Sequence, residues 1–245
     1  MKKALIFAIV LMAFLSASAQ HSKLLDKTQF GLRFAPLLSF TKVDAESYAY
    51  PDAKSTGTGI RWSAGIIADY QLLKKLLPVY LSTGIWYSTR AANAIPGENY
   101  NGLYSKGRYN LSYVQIPLSA KILLYKINRT TWFYVQPGIT FDIKVSEKPR
   151  DADYNYFYLL TTGFTQESLG KNVYKNFNLG SYLGAGIEKT LDGNTKIFGS
   201  ISWSAGSLQI LNNIQDKKDN GELVYVNKDL RVRTAQLAFE VGIKF

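Results

Sequence analysis

Residues 230–245 read LRVRTAQLAFEVGIKF, and the second half alternates without a break. Leu237, Phe239, Val241, Ile243 and Phe245 fall on one side of an extended chain. Gln236, Ala238, Glu240, Gly242 and Lys244 fall on the other. A period of two marks a strand with unlike faces, because successive side chains of a pleated backbone point to opposite sides.

The same alternation recurs upstream. Phe30, Leu32, Phe34, Leu38 and Phe40 oppose Gly31, Arg33, Ala35, Ser39 and Thr41. Ile60, Trp62, Ala64, Ile66, Ala68, Tyr70 and Leu72 oppose Gly59, Arg61, Ser63, Gly65, Asp69 and Gln71. Val114, Ile116, Leu118, Ala120, Ile122 and Leu124 oppose Tyr113, Gln115, Pro117, Ser119 and Lys121. Phe133, Val135, Ile139, Phe141, Ile143 and Val145 oppose Tyr134, Gln136, Gly138, Thr140, Asp142 and Lys144. In all, the pattern predicts eight strands, at 29–42, 57–73, 79–92, 109–124, 131–146, 177–190, 196–211 and 230–245. Aromatics make up 14% of the chain, which suits β-structure.

The two faces decide the environment. A soluble barrel, such as a lipocalin-like binder, turns its apolar face inward. A membrane barrel turns it out to lipid. Three features favour the second arrangement. The strands are far longer than the usual ~5–6 residues, and a tilted bilayer span needs ~9–11. The polar face is rich in Gly, Ser and Ala, which fit a narrow interior but solubilise an exterior poorly. Lys and Arg are sparse on that face and interleave with acids. The gaps agree. Those at 74–78, 125–130 and 191–195 have five or six residues, whereas 43–56, 93–108, 147–176 and 212–229 have 14, 16, 30 and 18. Short turns alternating with long loops are the mark of an up-and-down membrane barrel. Tyr70, Tyr80, Tyr125 and Trp132 fall near the short turns and Tyr87 and Trp203 nearer the long loops, as a bilayer interface favours. The predicted fold is therefore all-β: an eight-stranded antiparallel up-and-down transmembrane β-barrel, with short periplasmic turns and long extracellular loops.

Residues 1–19, MKKALIFAIVLMAFLSASA, read as a cleavable signal peptide. Lys2 and Lys3 precede a short apolar run, and Ala17-Ser18-Ala19 fits the cleavage rule, leaving Gln20 first. The apolar run is too short for a transmembrane anchor. Cleavage takes the 245-residue chain to 226 and the net charge from +11 to +9, as both lysines leave. The barrel domain is then 20–245, in the cell outer membrane.

Much chemistry is excluded. With no Cys there is no disulfide, thiolate metal site or thiol nucleophile, and the single His21 cannot build a multi-histidine site or a triad within the strands. The reading is non-enzymatic, with no cofactor and no metal. The excess cations fall in turns (Lys74, Lys75, Lys126, Arg129), loops (Lys217, Lys218) and the lumen, not in a nucleic-acid stripe. Contact with outer-membrane lipid headgroups is the simpler account.

Several stretches carry a family resemblance. They are Leu111-Ser112-Tyr113-Val114-Gln115-Ile116-Pro117-Leu118, Leu81-Ser82-Thr83-Gly84-Ile85-Trp86-Tyr87-Ser88, Leu183-Gly184-Ala185-Gly186-Ile187-Glu188, and the end from Leu237 to Phe245. On these the chain resembles the PorT-type outer-membrane β-barrel proteins of Gram-negative bacteria. The resemblance implies an integral outer-membrane barrel with a terminal aromatic read by the insertion machinery. One branch of that family is linked to protein secretion; most members have no assigned activity.

The candidate sites follow from strand depth. Arg33, Asp69, Lys121, Glu188 and Glu240 fall at similar distances from the periplasmic ends. Closing the last strand on the first places Glu240 beside Arg33, with Asp69 on the other side of Arg33. Charges in a filled lumen must pair, so these five are expected to form a structural ion-pair plug, in preference to a proton path or a catalytic carboxylate pair. Pro117 is expected at a bulge or kink, since proline removes a ladder donor. Asp151, Asp153, Tyr154, Tyr156, Phe157 and Tyr158 lie in the longest loop, as a partner-docking site or an unspecific surface. The expected function is a structural or interaction role in the envelope, linked to secretion if the resemblance holds there. A narrow solute or ion channel, or an adhesin-like ligand-binding barrel, is the alternative. The expected partners are outer-membrane lipid and an envelope protein engaged through loops or periplasmic turns, with no nucleic acid; the barrel is expected to be a monomer.

Overall fold

The computed structural model describes residues 27–45, 54–55, 57–74, 77–95, 107–149, 174–191, 194–210, 215–217, 223–225 and 230–245. The leader 1–19 and the loop residues Asp151, Asp153, Tyr154, Tyr156, Phe157 and Tyr158 lie outside the described residues.

Eight long strands make the barrel: β1 (Thr28–Ala45), β2 (Gly59–Leu73), β3 (Val79–Ile95), β4 (Gly107–Lys126), β5 (Thr131–Pro149), β6 (Phe177–Thr190), β7 (Lys196–Gly206) and β8 (Leu230–Lys244). Each pairs antiparallel with its neighbours in sequence, and β8 returns to β1. Gly31 lies opposite Lys244 and Ala45 opposite Leu230. The Phe245 amide donates to the Phe30 carbonyl at 2.8 Å. Closure removes the free sheet edge that hydrocarbon could not solvate. Three short strands are accessory. Lys54–Ser55 adds to the top of β3, and Gln215–Lys217 pairs with Leu223–Tyr225 between β7 and β8.

The short turns form from local chemistry. The Ile127 amide donates to the Thr131 carbonyl at 2.9 Å, and Asn128 Oδ1 accepts from the Thr130 amide at 3.0 Å, an Asn side chain standing in for backbone. The Leu191 amide closes the next turn onto the Thr195 carbonyl at 2.8 Å.

The faces lie as the alternation predicts. Phe34, Ile66, Ile116 and Val241 are 49%, 37%, 36% and 56% exposed, whereas Arg33 and Glu240 are 5% and 4%. Only a lipid solvent makes that distribution favourable. Two aromatics differ, with lumen parity rather than interface parity: Tyr80, whose ring centre lies 5.6 Å from the Lys196 ammonium, and Trp132, which lies opposite Glu188 and on the same face as Tyr134.

β7 ends at Gly206, five residues short of the expected limit. There the chain leaves the β7–β8 ladder: the Ser207 amide donates to the Leu179 carbonyl at 2.7 Å and the Ile210 amide to the Val232 carbonyl at 2.9 Å.

Pro117 makes no bulge. It lies opposite Thr140, and the register with β3 is the same on both sides of it, from Thr83 opposite Leu118 to Trp86 opposite Gln115. The bulges of β4 sit at Ser112/Tyr113 and Leu123/Tyr125 instead. The missing N–H interrupts the ladder on one side only, and the Thr83 hydroxyl donates to the Pro117 carbonyl at 2.8 Å. Pro36 and Pro137 behave alike, each keeping one ladder and skipping the other without a shift. A proline is tolerated in a wall strand when a single ladder is spared.

Candidate functional site

The lumen holds the concentrated chemistry of the described residues, in layers. Nearest the periplasmic end is a ring built from the even strands: Asp69 (β2), Lys121 (β4), Glu188 (β6) and Lys244 (β8). Lys244 Nζ lies 2.5 Å from Asp69 Oδ2 and 2.7 Å from Glu188 Oε2. Lys121 Nζ lies 3.3 Å from Asp69 Oδ2 and also donates to Glu188 Oε2. Charges thus alternate in sign around the ring, each ammonium bridging both carboxylates. The Ser82 hydroxyl donates to Asp69 Oδ1 at 2.6 Å, and Lys196 reaches Glu188 Oε1 at 3.4 Å from the rim. The four ring side chains are 4% exposed or less.

Against this ring stands a layer from the odd strands: Arg33 (β1), Trp86 (β3), Tyr134 (β5) and Phe198 (β7). The Arg33 guanidinium lies 3.7 Å from the Trp86 ring centre. Lys121 and Lys244 lie 4.4 and 4.8 Å from the Tyr134 and Phe198 centres. These cation–π contacts give each buried cation a favourable face where water is excluded. Arg33 also donates to Glu240 Oε1 at 2.7 Å and to the Ser63 hydroxyl at 2.9 Å. Glu240 accepts in addition from Tyr182 at 3.2 Å, from Ser200 at 3.3 Å and from Ser202.

Two further pairs lie toward the extracellular end. Arg90 pairs with Asp142 at 2.8 Å, and Gln115 donates to the same carboxylate at 2.8 Å. Lys144 pairs with Glu147 at 2.6 Å. Each layer is close to neutral. A lone buried charge would cost several kcal/mol, so pairing within layers is what a dry lumen demands.

The five residues singled out from sequence thus divide into two sets. Arg33 and Glu240 meet directly; Asp69, Lys121 and Glu188 meet with Lys244. Asp69 does not flank Arg33 as expected. The β1–β2 register sets Arg33 opposite Gly65 and Asp69 opposite Gln29, so the stagger of the strands separates them. Lys244, Lys196, Trp86, Tyr134 and Tyr182 were not assigned to the network. Lys244 and Tyr134 carried the parity signal. Their depth depends on the shear between strands, which no single strand records. Arg61 has lumen parity too, yet it reaches Asn110 on the outer face of β4, at 2.6 Å.

Among the described residues the space between these layers is small. The gap bordered by Arg33, Asp69, Trp86, Tyr182, Glu240 and Lys244 measures about 10 Å³, room for roughly one water molecule. Glycine makes this filling possible. A Cβ on lumen-facing Gly242 would lie 2.4 Å from the Phe198 ring. Among the described residues no group of three or more His, Cys, Asp or Glu is placed to hold a metal ion.

An apolar band outside a closed ladder, with ion pairs inside, defines an integral outer-membrane β-barrel. Residues 18–214 match the family model described as outer membrane protein beta-barrel domain, and the chain belongs to that family. No curated protein matches it. Among solved structures it is similar to OprG from Pseudomonas aeruginosa, at 9% identity and TM-score 0.47 over 89% of this chain and 95% of that one. It is similar also to Neisserial surface protein A, at 12% and 0.41 over 88% and 97%. The outer membrane protease OmpT from Escherichia coli aligns at 10% and 0.38 over 93% and 99%. At these identities and scores none of the three carries an activity across.

Proposed function

We propose that this outer-membrane barrel is non-enzymatic and non-conducting, and that it acts by engaging another envelope protein through its loops or periplasmic turns. The observation that carries the reading is the filled lumen. Its charges are paired layer by layer, and the gap at its centre has room for about one water molecule. A conducting pore needs a continuous wet path, which such a lumen opposes. Paired carboxylates between ammoniums are poorly suited to acid–base work, because their oxygens are already engaged by Lys121 and Lys244 and are enclosed away from any substrate.

The finer membership, in the PorT-type proteins with their secretion-linked branch, belongs to the same proposal. It is supported by the stretches from Leu81 to Ser88 and from Leu111 to Leu118, and by the alternating end at Phe245. So does export with cleavage after Ala19, for which N-terminal sequencing of the membrane-inserted protein should return Gln20.

The experiment is single-channel recording of the purified chain in planar bilayers, together with affinity capture from outer membranes. The reading predicts no unit conductance steps. It also predicts a co-purifying envelope protein that is lost when Tyr154, Tyr156, Phe157 and Tyr158 are replaced by Ser, or when the periplasmic turns are replaced. Regular conductance steps would favour the narrow channel. Turnover of lipid or peptide by the pure protein, abolished by Glu188→Gln, would overturn the non-enzymatic reading.

A further inference from the structure

Three cations converge where β5 begins at the periplasmic rim. Lys126, the last residue of β4, lies opposite Trp132 on one side of β5, and Lys189 of β6 lies opposite Thr131 on the other. Neighbouring strands are ~4.8 Å apart, so the Lys126 and Lys189 backbones stand about 10 Å from each other. Arg129 sits in the turn between them. All three side chains are exposed, and none forms an ion pair with a described residue. The Lys126 ammonium lies 5.6 Å from the Trp132 ring centre. The neighbouring carboxylate, Glu188, is turned into the lumen and held there by Lys121 and Lys244. Asp192, in the next turn, is outside the described residues.

The backbone that carries these cations is fixed. The Thr190 amide at the end of β6 donates to the Thr130 carbonyl at 2.8 Å, tying the turn to the next strand. Asn128 Oδ1 accepts from the Thr130 amide at 3.0 Å and from its hydroxyl at 3.2 Å. A cluster placed in advance binds a ligand at a smaller entropic cost.

Its height in the bilayer is the second observation. From Phe177 to Ile187 the outward-facing positions of β6 carry no charge. At ~3.3 Å per residue and a tilt of ~40° this run spans about 25 Å, the height of the lipid-facing band of such barrels. Lys189 is the next outward position, which sets it at the periplasmic headgroup level. Apolar side chains surround it: Ile187, Leu191 and, on β7 opposite it, Ile197 are all exposed. Across the seam the bulge at Leu123/Tyr125 turns Tyr125 outward, opposite Phe133. Tyr125 is 67% exposed, and Ile127 in the turn is exposed too.

We propose that this part of the rim is a binding site for an anionic phospholipid of the periplasmic leaflet. Lys126, Arg129 and Lys189 meet the phosphate oxygens. Tyr125, Ile127 and Leu191 cover the glycerol and the root of the acyl chains. A headgroup with two phosphates fits best, because the cations are spread over about 10 Å. A headgroup carrying its own ammonium would add a fourth cation to the cluster. A free anion would leave the apolar side chains uncovered, and so would an acidic peptide.

The test uses the full chain in an uncharged sugar-headed detergent, with native mass spectrometry counting bound molecules. The probes are cardiolipin, phosphatidylglycerol, phosphatidylethanolamine, inorganic phosphate and a polyglutamate peptide. The expected result is one cardiolipin per barrel, phosphatidylglycerol weaker, and phosphatidylethanolamine roughly tenfold or more weaker than cardiolipin. The triple variant Lys126→Gln/Arg129→Gln/Lys189→Gln should bind cardiolipin roughly tenfold or more weakly. The charge-matched triple Lys27→Gln/Lys74→Gln/Lys148→Gln removes exposed cations elsewhere and should bind as the parent does. Heat-modifiable gel migration checks folding of both, and Arg129→Glu alone, in the turn outside the ladders, is the second variant and should also weaken cardiolipin. Equal loss in the two triples, unchanged binding by the folded cluster variants, or phosphatidylethanolamine binding as tightly as cardiolipin would overturn the proposal. Inorganic phosphate or polyglutamate binding as tightly as cardiolipin would overturn it as well.

Discussion

Arg33 on the first strand and Glu240 on the last share an ion pair at 2.7 Å, although 207 residues separate them. The pair joins, from inside, the two strands whose pairing closes the barrel. Glu240→Ala leaves the Arg33 cation buried against Trp86, and we expect a loss of about 3–5 kcal/mol. The double variant Arg33→Met/Glu240→Leu should recover most of it. Urea titration of the detergent-folded barrel, followed by heat-modifiable migration, measures both. Equal losses in the single and double variants would show that the pair itself, not the stranded charge, carries the stability.

The periplasmic ring contains a built-in comparison. Lys121 is 1% exposed and bridges Asp69 and Glu188, whereas Lys196 is 15% exposed and, among the described residues, pairs with the single carboxylate of Glu188 at 3.4 Å. Lys121→Met should cost about 3–5 kcal/mol, because it unbalances a dry ring. Lys196→Met should cost less than about 1 kcal/mol, as a rim pair does. The same unfolding titration ranks the two.

Gly242 has no room for a side chain. An added Cβ would lie 2.3 Å from the Leu32 carbonyl oxygen as well as against the Phe198 ring. Gly242→Val should destabilise by about 1–3 kcal/mol or prevent folding, as overfilled interiors do. Shortening Phe198 to Leu in the same chain should return part of the loss, read as the folded fraction on gels.

Strand number and face were legible because period two is written into every strand separately. Phe34, Ile66, Ile116 and Val241 sit on the exposed face that the alternation assigns them. Depth was not. Whether Asp69 meets Arg33 or Lys244 depends on the stagger between strands, and that is a property of the closed ring. Pro117 was read as a bulge from its missing donor alone. The sequence does not show that the β5 ladder holds its register while Thr83 serves its carbonyl. The inward step of β3 near its extracellular end, where the Ser39 and Thr41 hydroxyls of β1 accept from the Ala91 and Asn93 amides at 3.1 and 2.9 Å, was equally hidden. Ala91, Ala92 and Asn93 are buried in succession, and the only trace of this in the sequence is that the run Ala91-Ala92-Asn93-Ala94 does not alternate.

Thr83 offers a test of that proline account. Its hydroxyl donates to the Pro117 carbonyl at 2.8 Å, where the β3–β4 ladder is interrupted. Thr83→Val keeps the shape and removes the donor, and should cost about 1 kcal/mol. Thr83→Ser should cost less. Chemical unfolding of the two variants side by side decides it.

The most direct test is the direction in which the strands face. The chain has no cysteine, so single cysteines can be placed at will. Spin labels at Phe34→Cys and Val241→Cys, in the barrel reconstituted in bilayers, should relax strongly with oxygen, which concentrates in hydrocarbon, and weakly with a water-soluble nickel chelate. A label at Ser63→Cys in the lumen should be reached poorly by both. Strong nickel relaxation at Phe34 and Val241, with little from oxygen, would contradict the account.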